Sequence, residues 1–299
     1  IIGPVFNKNL IYLDELNEVT FLSLSNTNIN NPKNVISGGI NAISQINAIK
    51  KFQEFAKLEN IVMAPTIDEL RLYDDKVSQQ LEYQEVMPPA LYSTNPKEAK
   101  KFARETEYPF VSKALEGAGS SNVRLVRNQA QALKEIETIF SDSGRGRHDK
   151  HSPGLKQQGY VLWQKFLPDN PNDWRLIMLG AKYAMIVRRQ NRPDLPFASG
   201  SGLITPENDL NNQISSMLDW GREFAINKGL RVLAGDVILD ENGDFVLVET
   251  STTWPVMLHQ ENFIFVYKED NWEKSEYDGT MIFDLKADMA IRGEFNEVI

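Results

Sequence analysis

Residues 234–255, AGDVILDENGDFVLVETSTTWP, constrain the fold more than any other stretch of the chain. GDVIL and FVLVE are short apolar runs rich in branched residues, and DENGD between them carries turn chemistry, with Asn242-Gly243 where positive φ is cheap. The pattern is a β-hairpin. Asp236 opens the first strand and Glu249 closes the second, thirteen residues later, which is what two strands and a turn need. Antiparallel pairing sets such opposite ends side by side, so the two carboxylates can converge. Converging acids beside a buried strand pair are costly unless something neutralises them. A hard divalent cation, Mg2+ or Mn2+, is the usual solution. Two exposed acids at strand ends is the plainer reading, and the rest of the chain weighs against it.

The chain has 299 residues, enough for one large or two medium domains with a real core. Its net charge of −9 argues against a nucleic-acid binder that works by neutralising phosphates. The absence of cysteine removes disulfides, thiolate metal sites and thiol nucleophiles, and fits a reducing, cytoplasmic setting. No apolar run is long enough to span a membrane. The opening IIGPVFNKNL lacks the basic start and long apolar core of a signal peptide.

In chain order, residues 1–72 read as a small α/β unit. IIGPVF, VTFLSLS and IVMAP are strand-like, INAISQINAIKKFQEFAKLE has helical spacing, and no chemical motif stands out. Residues 73–160 form a second unit. Lys76 follows two acids, Pro88-Pro89 breaks a helix, ALYST is a strand, and Asn95-Pro96 opens a helix. YPFVSKAL is a strand carrying Lys113, and the EGAGSSN after it holds Gly117, Gly119, Ser120, Ser121 and Asn122. Such a loop either turns the chain or bends its backbone over an anion, and a lysine just upstream favours phosphate. NQAQALKEIETIF is a helix, and residues 141–159 are a polar, basic, Gly-rich loop. His148 and His151 have metal-compatible spacing only on a helix, which this loop is not. A solvated loop is the favoured reading there, with a basic lid over phosphate as the alternative.

Residues 161–299 form the third unit. Strands around VLWQKF, DWRLIML and AMIVRR set Arg175, Arg188 and Arg189 at or near strand ends, where guanidinium groups suit bidentate contacts to phosphate or carboxylate. Residues 207–229 read as a helix, apolar at Ile214, Met217, Leu218, Phe224 and Ile226 and stopped by Gly229. The hairpin follows. An aromatic strand NFIFVY, an acidic loop and a final helix around 284–291 complete the chain.

This order resembles the ATP-grasp superfamily over roughly residues 70–255: lysine strand, Gly/Ser loop, arginine strands, helix, Asp…Glu hairpin. Four colinear segments, GAGSSNVRLV (117–126), NRP (191–193), FASGSG (197–202) and ETS (249–251), are similar to the ribosomal-protein glutamate-ligase-like branch, often met among polysaccharide-biosynthesis proteins. The resemblance implies an α/β (α+β) ATP-grasp fold. A pre-grasp domain (1–72) would precede a small subdomain (73–160) and a large subdomain (161–299) that clamp a nucleotide. It implies that Lys76 and Lys113 hold ATP phosphates and that the loop of Gly117, Gly119, Ser120 and Ser121 closes over them. Gln164, Lys165, Phe166 and Leu167 match the hinge, where main-chain groups would read adenine. Asp173 and Arg175 match the D-x-R after the hinge, and Arg188 or Arg189 an arginine near the transferred phosphate. Asp236 and Glu249 match the Mg2+ carboxylates. Ser251 stands where many relatives have an asparagine metal ligand, and is a weaker neutral donor.

The activity implied is ATP- and Mg2+-dependent ligation of a small-molecule carboxylate to an amine through an acyl phosphate, releasing ADP and phosphate. Related ligases often form dimers or tetramers, so self-association is a further expectation. Two rival readings stand beside this one. An ATP-binding structural or regulatory protein would keep the fold without turnover, as Ser251 suggests. A phosphotransferase would stop at a phosphorylated product.

Overall fold

The computed structural model describes residues 2–5, 8–11, 64–72, 75–114, 123–146, 156–198, 201–251, 263–277 and 289. In the first unit, strands β1 (Ile2–Val5) and β2 (Lys8–Ile11) pair antiparallel. The strand-like VTFLSLS and the long helical pattern of that unit lie outside the described residues. Helix α1 (Ile67–Leu72) begins with a capping box, in which Glu69 N–H donates to Thr66 Oγ1 at 3.2 Å and the Glu69 carboxylate accepts from Thr66 N–H. The same buried carboxylate accepts Val232 N–H at 2.6 Å and so ties α1 to the large sheet.

Two antiparallel sheets build the rest. The smaller has the order β3 (Ala90–Ser93), β8 (Val161–Lys165), β4 (Phe110–Lys113), β5 (Val123–Val126). Helices α3 (Pro96–Glu105) and α4 (Gln129–Ile139) cover it, each capped by the asparagine before it. Ala99, Ala103, Ala132, Ile136 and Ile139 pack with Phe110, Val126, Val161 and Trp163 in its core, and the Phe110 and Trp163 rings lie 4.7 Å apart. Within the polar stretch 141–159, two short strands pair: β6 (Arg145–Gly146) with β7 (Lys156–Gln157). They pair because Arg145 is buried there, with Nη1 on Ser112 Oγ at 2.8 Å and on Glu135 at 3.0 Å. His148 and His151 lie outside the described residues.

The larger sheet runs β13 (Phe245–Ser251), β12 (Val232–Leu239), β9 (Asn172–Leu179), β10 (Tyr183–Gln190), β14 (Phe263–Lys268), β15 (Asn271–Glu276), with β11 (Ile204–Pro206) also on β10. The β9–β10 connection is a tight turn with both Gly180 and Ala181 at positive φ. A second such turn, Glu269-Asp270, sends the chain back as β15, so the acidic stretch after NFIFVY is largely a strand. Its charged composition, NWEKSE, hides the period-2 signal.

Helix α5 (Asn212–Asn227) crosses one face of this sheet. It starts at Asn211, whose side chain caps Ile214 N–H at 3.0 Å, several residues later than the helical pattern suggests. Ile214, Met217, Leu218, Phe224 and Ala225 pack there with Leu176, Met178, Ile186, Leu233, Val237 and Leu247. At Gly221 an added Cβ would stand 2.3 Å from Leu176 Cδ2, so helix and sheet approach closely. Strands alternate faces, so the residues between these core positions face the other way. On the central strands these include Asp173, Arg175, Arg189 and Asp236.

Candidate functional site

The hairpin of β12 and β13 forms in the register its two carboxylates require: Asp236 lies opposite Glu249 and Ala234 opposite Ser251. Asp240 closes the turn, accepting Asn242 N–H at 2.8 Å and Asp244 N–H at 2.9 Å, while Gly243 takes φ of 86°. The ladder steps from Asp236/Glu249 to Val237/Leu247, leaving Val248 as a β-bulge. Period-2 alternation puts Glu249 and Ser251 on one face, with Asp236 across from Glu249.

Cations converge on this strand pair from four elements. Helix α2 (Lys76–Glu82) delivers buried Lys76 to Glu249, Nζ to Oε1 at 3.1 Å. Strand β4 delivers buried Lys113, which donates to the carbonyl of the bulged Val248 at 2.8 Å. From β9, Arg175 holds Asp236 through Nε and Nη2. From β10, Arg189 forks onto Asp173 at 2.7 and 2.6 Å and reaches Asp236 Oδ2 at 2.7 Å. Four cations thus stand against three carboxylates on one face. The surplus positive charge suits an anion.

The protonation equilibria follow from burial and pairing. Burial pushes the Lys113 ammonium down to about 8, helped by Lys76 and opposed by Glu249 and Asp236. Burial alone would raise Asp236, but Arg175 and Arg189 outweigh it and hold this carboxylate below its ordinary range. Burial, then the charge of Asp236, raises Asp173 against the pull of Arg189. Burial also works against the Arg189 charge, yet Asp236 and Asp173 together hold its pKa above the ordinary value.

The site residues expected from sequence fall into distinct groups. Lys76, Lys113, Asp173, Arg175, Arg189, Asp236, Glu249 and Ser251 come together. Arg188 does not: it is on the opposite face of β10 and pairs with Glu207, Nε to Oε1 at 3.2 Å. Gln164 is buried and donates to Gln80 Oε1 at 2.9 Å. Lys165 is exposed and pairs with Glu241 at 2.6 Å, while its N–H donates to Pro89 O at 2.8 Å. The strand ends there, leaving Phe166 and Leu167 beyond the ladder. Gly117, Gly119, Ser120 and Ser121 lie outside the described residues, as do Thr252 and the stretch to residue 262.

Sequence reasoning passed over two residues. Gln79, on α2, is fully buried and bonds both backbone groups of Thr250. Gln80 carries the contact to Gln164 and donates to Pro88 O at 3.1 Å. Glutamine is ordinary in a helix, so neither carries a sequence signal. Residues 76–88 touch both sheets: Gln80 meets Gln164 on β8, and the other contacts are with the large sheet. Val86 O accepts Leu247 N–H at 2.8 Å, and Tyr83 and Met87 belong to the core under α5.

The donor set fits a hard divalent ion. Mg2+ takes one or two protein carboxylates and completes its shell with water and phosphate oxygens. Glu249 is a third exposed on its side chain, and among the described residues Asp236 Oδ1 accepts from Arg175 Nε, which leaves it a second lone pair. Among the described residues no three His, Cys, Asp or Glu side chains cluster as a self-sufficient metal cage.

No protein-family model matches the chain. The 2-oxoglutarate carboxylase small subunit of Hydrogenobacter thermophilus (strain DSM 6534 / IAM 12695 / TK-6) is 28% identical over 121 residues, 37% of this chain and 23% of its own length. The chain therefore matches about a quarter of that curated relative. Among solved structures, the ATP-grasp ligase PsnB complexed with minimal precursor, Mg and ADP aligns with a TM-score of 0.52 at 12% identity, covering 96% of this chain and 85% of that one. D-cycloserine synthetase DcsG aligns with a TM-score of 0.52 at 15% identity, covering 81% and 79%. Macrocyclase MdnC of Microcystis aeruginosa MRC, bound with its precursor peptide MdnA, aligns with a TM-score of 0.50 at 14% identity, covering 75% and 66%. The chain has the ATP-grasp fold, a mixed α/β architecture of two antiparallel sheets with helices. Among the described residues no helix is long and apolar enough to cross a membrane.

Proposed function

We propose that this chain is an ATP- and Mg2+-dependent carboxylate–amine ligase. The observation that carries the reading is the convergence of buried Lys76 and Lys113, from separate elements, on the bulged strand that bears Glu249. Buried lysines around one carboxylate leave positive charge to be matched, and a polyphosphate matches it. Lys76 and Lys113 bind the ATP phosphates. Arg189, oriented by its fork on Asp173, faces the transferred phosphoryl group, and Arg175 holds Asp236 in place. Glu249 and Asp236, with Ser251 beside them, would hold Mg2+, which would supply neutralisation of phosphate charge. Phe166 and Leu167, past the end of β8, offer main chain to adenine.

In this reading a substrate carboxylate oxygen attacks the γ-phosphorus, and the bond to the β-phosphate oxygen breaks to release ADP. The amine then attacks the acyl carbon, loses a proton, and displaces inorganic phosphate to leave an amide. The protein contributes position and charge rather than a nucleophile, which suits a chain without cysteine. Substrates are a small carboxylate and an amine, with acidic sugars, amino acids and peptide ends as the first panel to screen. Self-association of the chain belongs to the same reading.

The test is ADP release across that panel, paired with the melting temperature in Mg-ATP. A ligand selective for the native state raises that temperature. Wild type is expected to be stabilised by Mg-ATP. Glu249→Gln, which removes one formal charge from the metal strand, is expected to remain folded and lose Mg2+-dependent turnover; wild-type turnover in that variant would overturn the metal assignment. The neutral Ser251 favours a second reading, ATP binding without turnover, which Mg-ATP stabilisation with no ADP release from any substrate pair would select.

A further inference from the structure

We infer that Gln79 is a positioning residue for the metal strand, and that its amide, clamped on the backbone of Thr250, sets the directions of Glu249 and Ser251. The inference rests on the ATP and Mg2+ reading of this site.

Strand β13 is the outermost strand of its sheet, so its outer backbone groups have no neighbouring strand to pair with. Gln79 supplies a substitute. Its Oε1 accepts Thr250 N–H at 2.9 Å, and its Nε2 donates to Thr250 O at 3.0 Å and to Leu72 O at 2.7 Å. Only one orientation of the amide satisfies these contacts, because two partners are carbonyls and one is an N–H. The residue is fully buried and both of its bonds to Thr250 are buried, so losing them strips a buried N–H and a buried C=O of this partner.

The bulge determines why Thr250 is the residue held. Leu247 N–H also points outward, to Val86 O at 2.8 Å. In an unbroken ladder the outward positions recur every second residue, so Glu249 would be next. The extra residue Val248 shifts that parity and turns Thr250 outward. Glu249 and Ser251 flank it, and each shares a peptide plane with it. Fixing both polar groups of Thr250 therefore fixes the two planes from which the Glu249 and Ser251 side chains depart.

Lys76 lies one helical turn before Gln79 on the same face of α2 and binds the Glu249 carboxylate. One helix thus grips the E-x-S segment twice, by the charge of its first residue and by the backbone of its second. The helix is itself held, with Asp75 accepting Ser78 N–H at 3.0 Å and Ser78 Oγ–H at 2.7 Å. Gln80, the next residue, holds Gln164 on β8, so the same turn also touches the strand that leads to the proposed adenine contacts.

The experiment uses the full chain as wild type, Gln79→Met and Gln79→Glu. Methionine keeps the volume without polar atoms; glutamate, protonated in so buried a place, keeps the acceptor for Thr250 N–H and one donor in place of two. Calorimetry measures ATP affinity in EDTA, and a Mg2+ titration at saturating ATP follows the melting temperature. Gln79→Met is expected to move the Mg2+ midpoint up by about 10- to 100-fold, the usual cost of losing an outer support of a metal site. Affinity in EDTA, carried by the lysines, is expected to stay within about twofold, well under the tenfold that 1.4 kcal/mol represents. Gln79→Glu is expected to fall between wild type and Met, and it decides the matter where Met does not fold. An unchanged Mg2+ midpoint in the folded variants overturns the inference, as does an equal loss of affinity with and without Mg2+. A wild-type chain that binds no nucleotide overturns the function reading itself.

Discussion

Lys113 is buried at the junction of the two sheets, and its charge is held there at a cost. Its pKa is depressed to about 8, first by burial, against an unfolded value near 10.5. The native state therefore binds fewer protons than the unfolded chain between those values. The penalty of burying the charged form is carried in full below pH 8, and the contribution of this group to stability improves as pH rises toward 10.5. A polyphosphate beside the ammonium restores the proton. ATP binding is expected to take up a proton in the interval above pH 8 and almost none near pH 6.5, as calorimetry in buffers of different ionisation enthalpy would measure. Lys113→Met is expected to abolish the uptake. The arginines carry a different lesson. Arg188 and Arg189 are adjacent on a strand, so they must face opposite ways, and only Arg189 meets Asp173 and Asp236.

Among the elements, α5 determines which face of the large sheet is closed and, by exclusion, which carries the charged cluster. It approaches the sheet tightly at Gly221, above the fully buried Leu176. Gly221→Val places methyl groups where Leu176 and Met178 stand, and overpacking of this kind costs about 2–3 kcal/mol. The expected result is a lower urea midpoint with an unchanged Mg-ATP affinity in the folded fraction, because the site is on the far face. A loss of affinity without a loss of stability would mean that the helix feeds the site directly. Helix α2 works differently. It is short and covers a sheet edge rather than a face, and it contributes Lys76, Gln79 and Gln80 in little more than one turn.

Across the whole molecule, net charge and local charge disagree. The chain carries −9, while the cluster of Lys76, Lys113, Arg175 and Arg189 outnumbers the three carboxylates beside it. The negative excess therefore lies outside the cluster, which is left able to attract an anion. The two sheets touch through buried or half-buried contacts, Lys113 on Val248 and Gln80 on Gln164, and through the exposed pair Lys165–Glu241. Exposed pairs are screened by water and lose side-chain entropy on forming. Glu241→Ala is therefore expected to leave the melting temperature and Mg-ATP affinity within error of wild type, measured side by side. A clear drop would mean that the sheets are held together at their rim.

What the sequence by itself determined about this protein is local in character. Asn-Gly flanked by apolar runs specifies a hairpin, and a hairpin of that length brings Asp236 within one residue of Glu249; an unbroken ladder would set Asp236 opposite Val248, and the bulge is what aligns it with Glu249. Asn95, Asn128 and Asn211 cap helices because a short polar side chain reaches its own helix N–H groups. The strand carrying Lys113 is legible for the same reason. The tertiary structure alone decided which arginine faces the site, because alternation fixes that two neighbours diverge but not which face α5 covers. It alone decided that Val248 bulges and that Gln79 reaches Thr250, 171 residues away along the chain. Contacts over such separations depend on how the sheet edge and the helix dock, and a glutamine in a helix carries no trace of the strand it will meet.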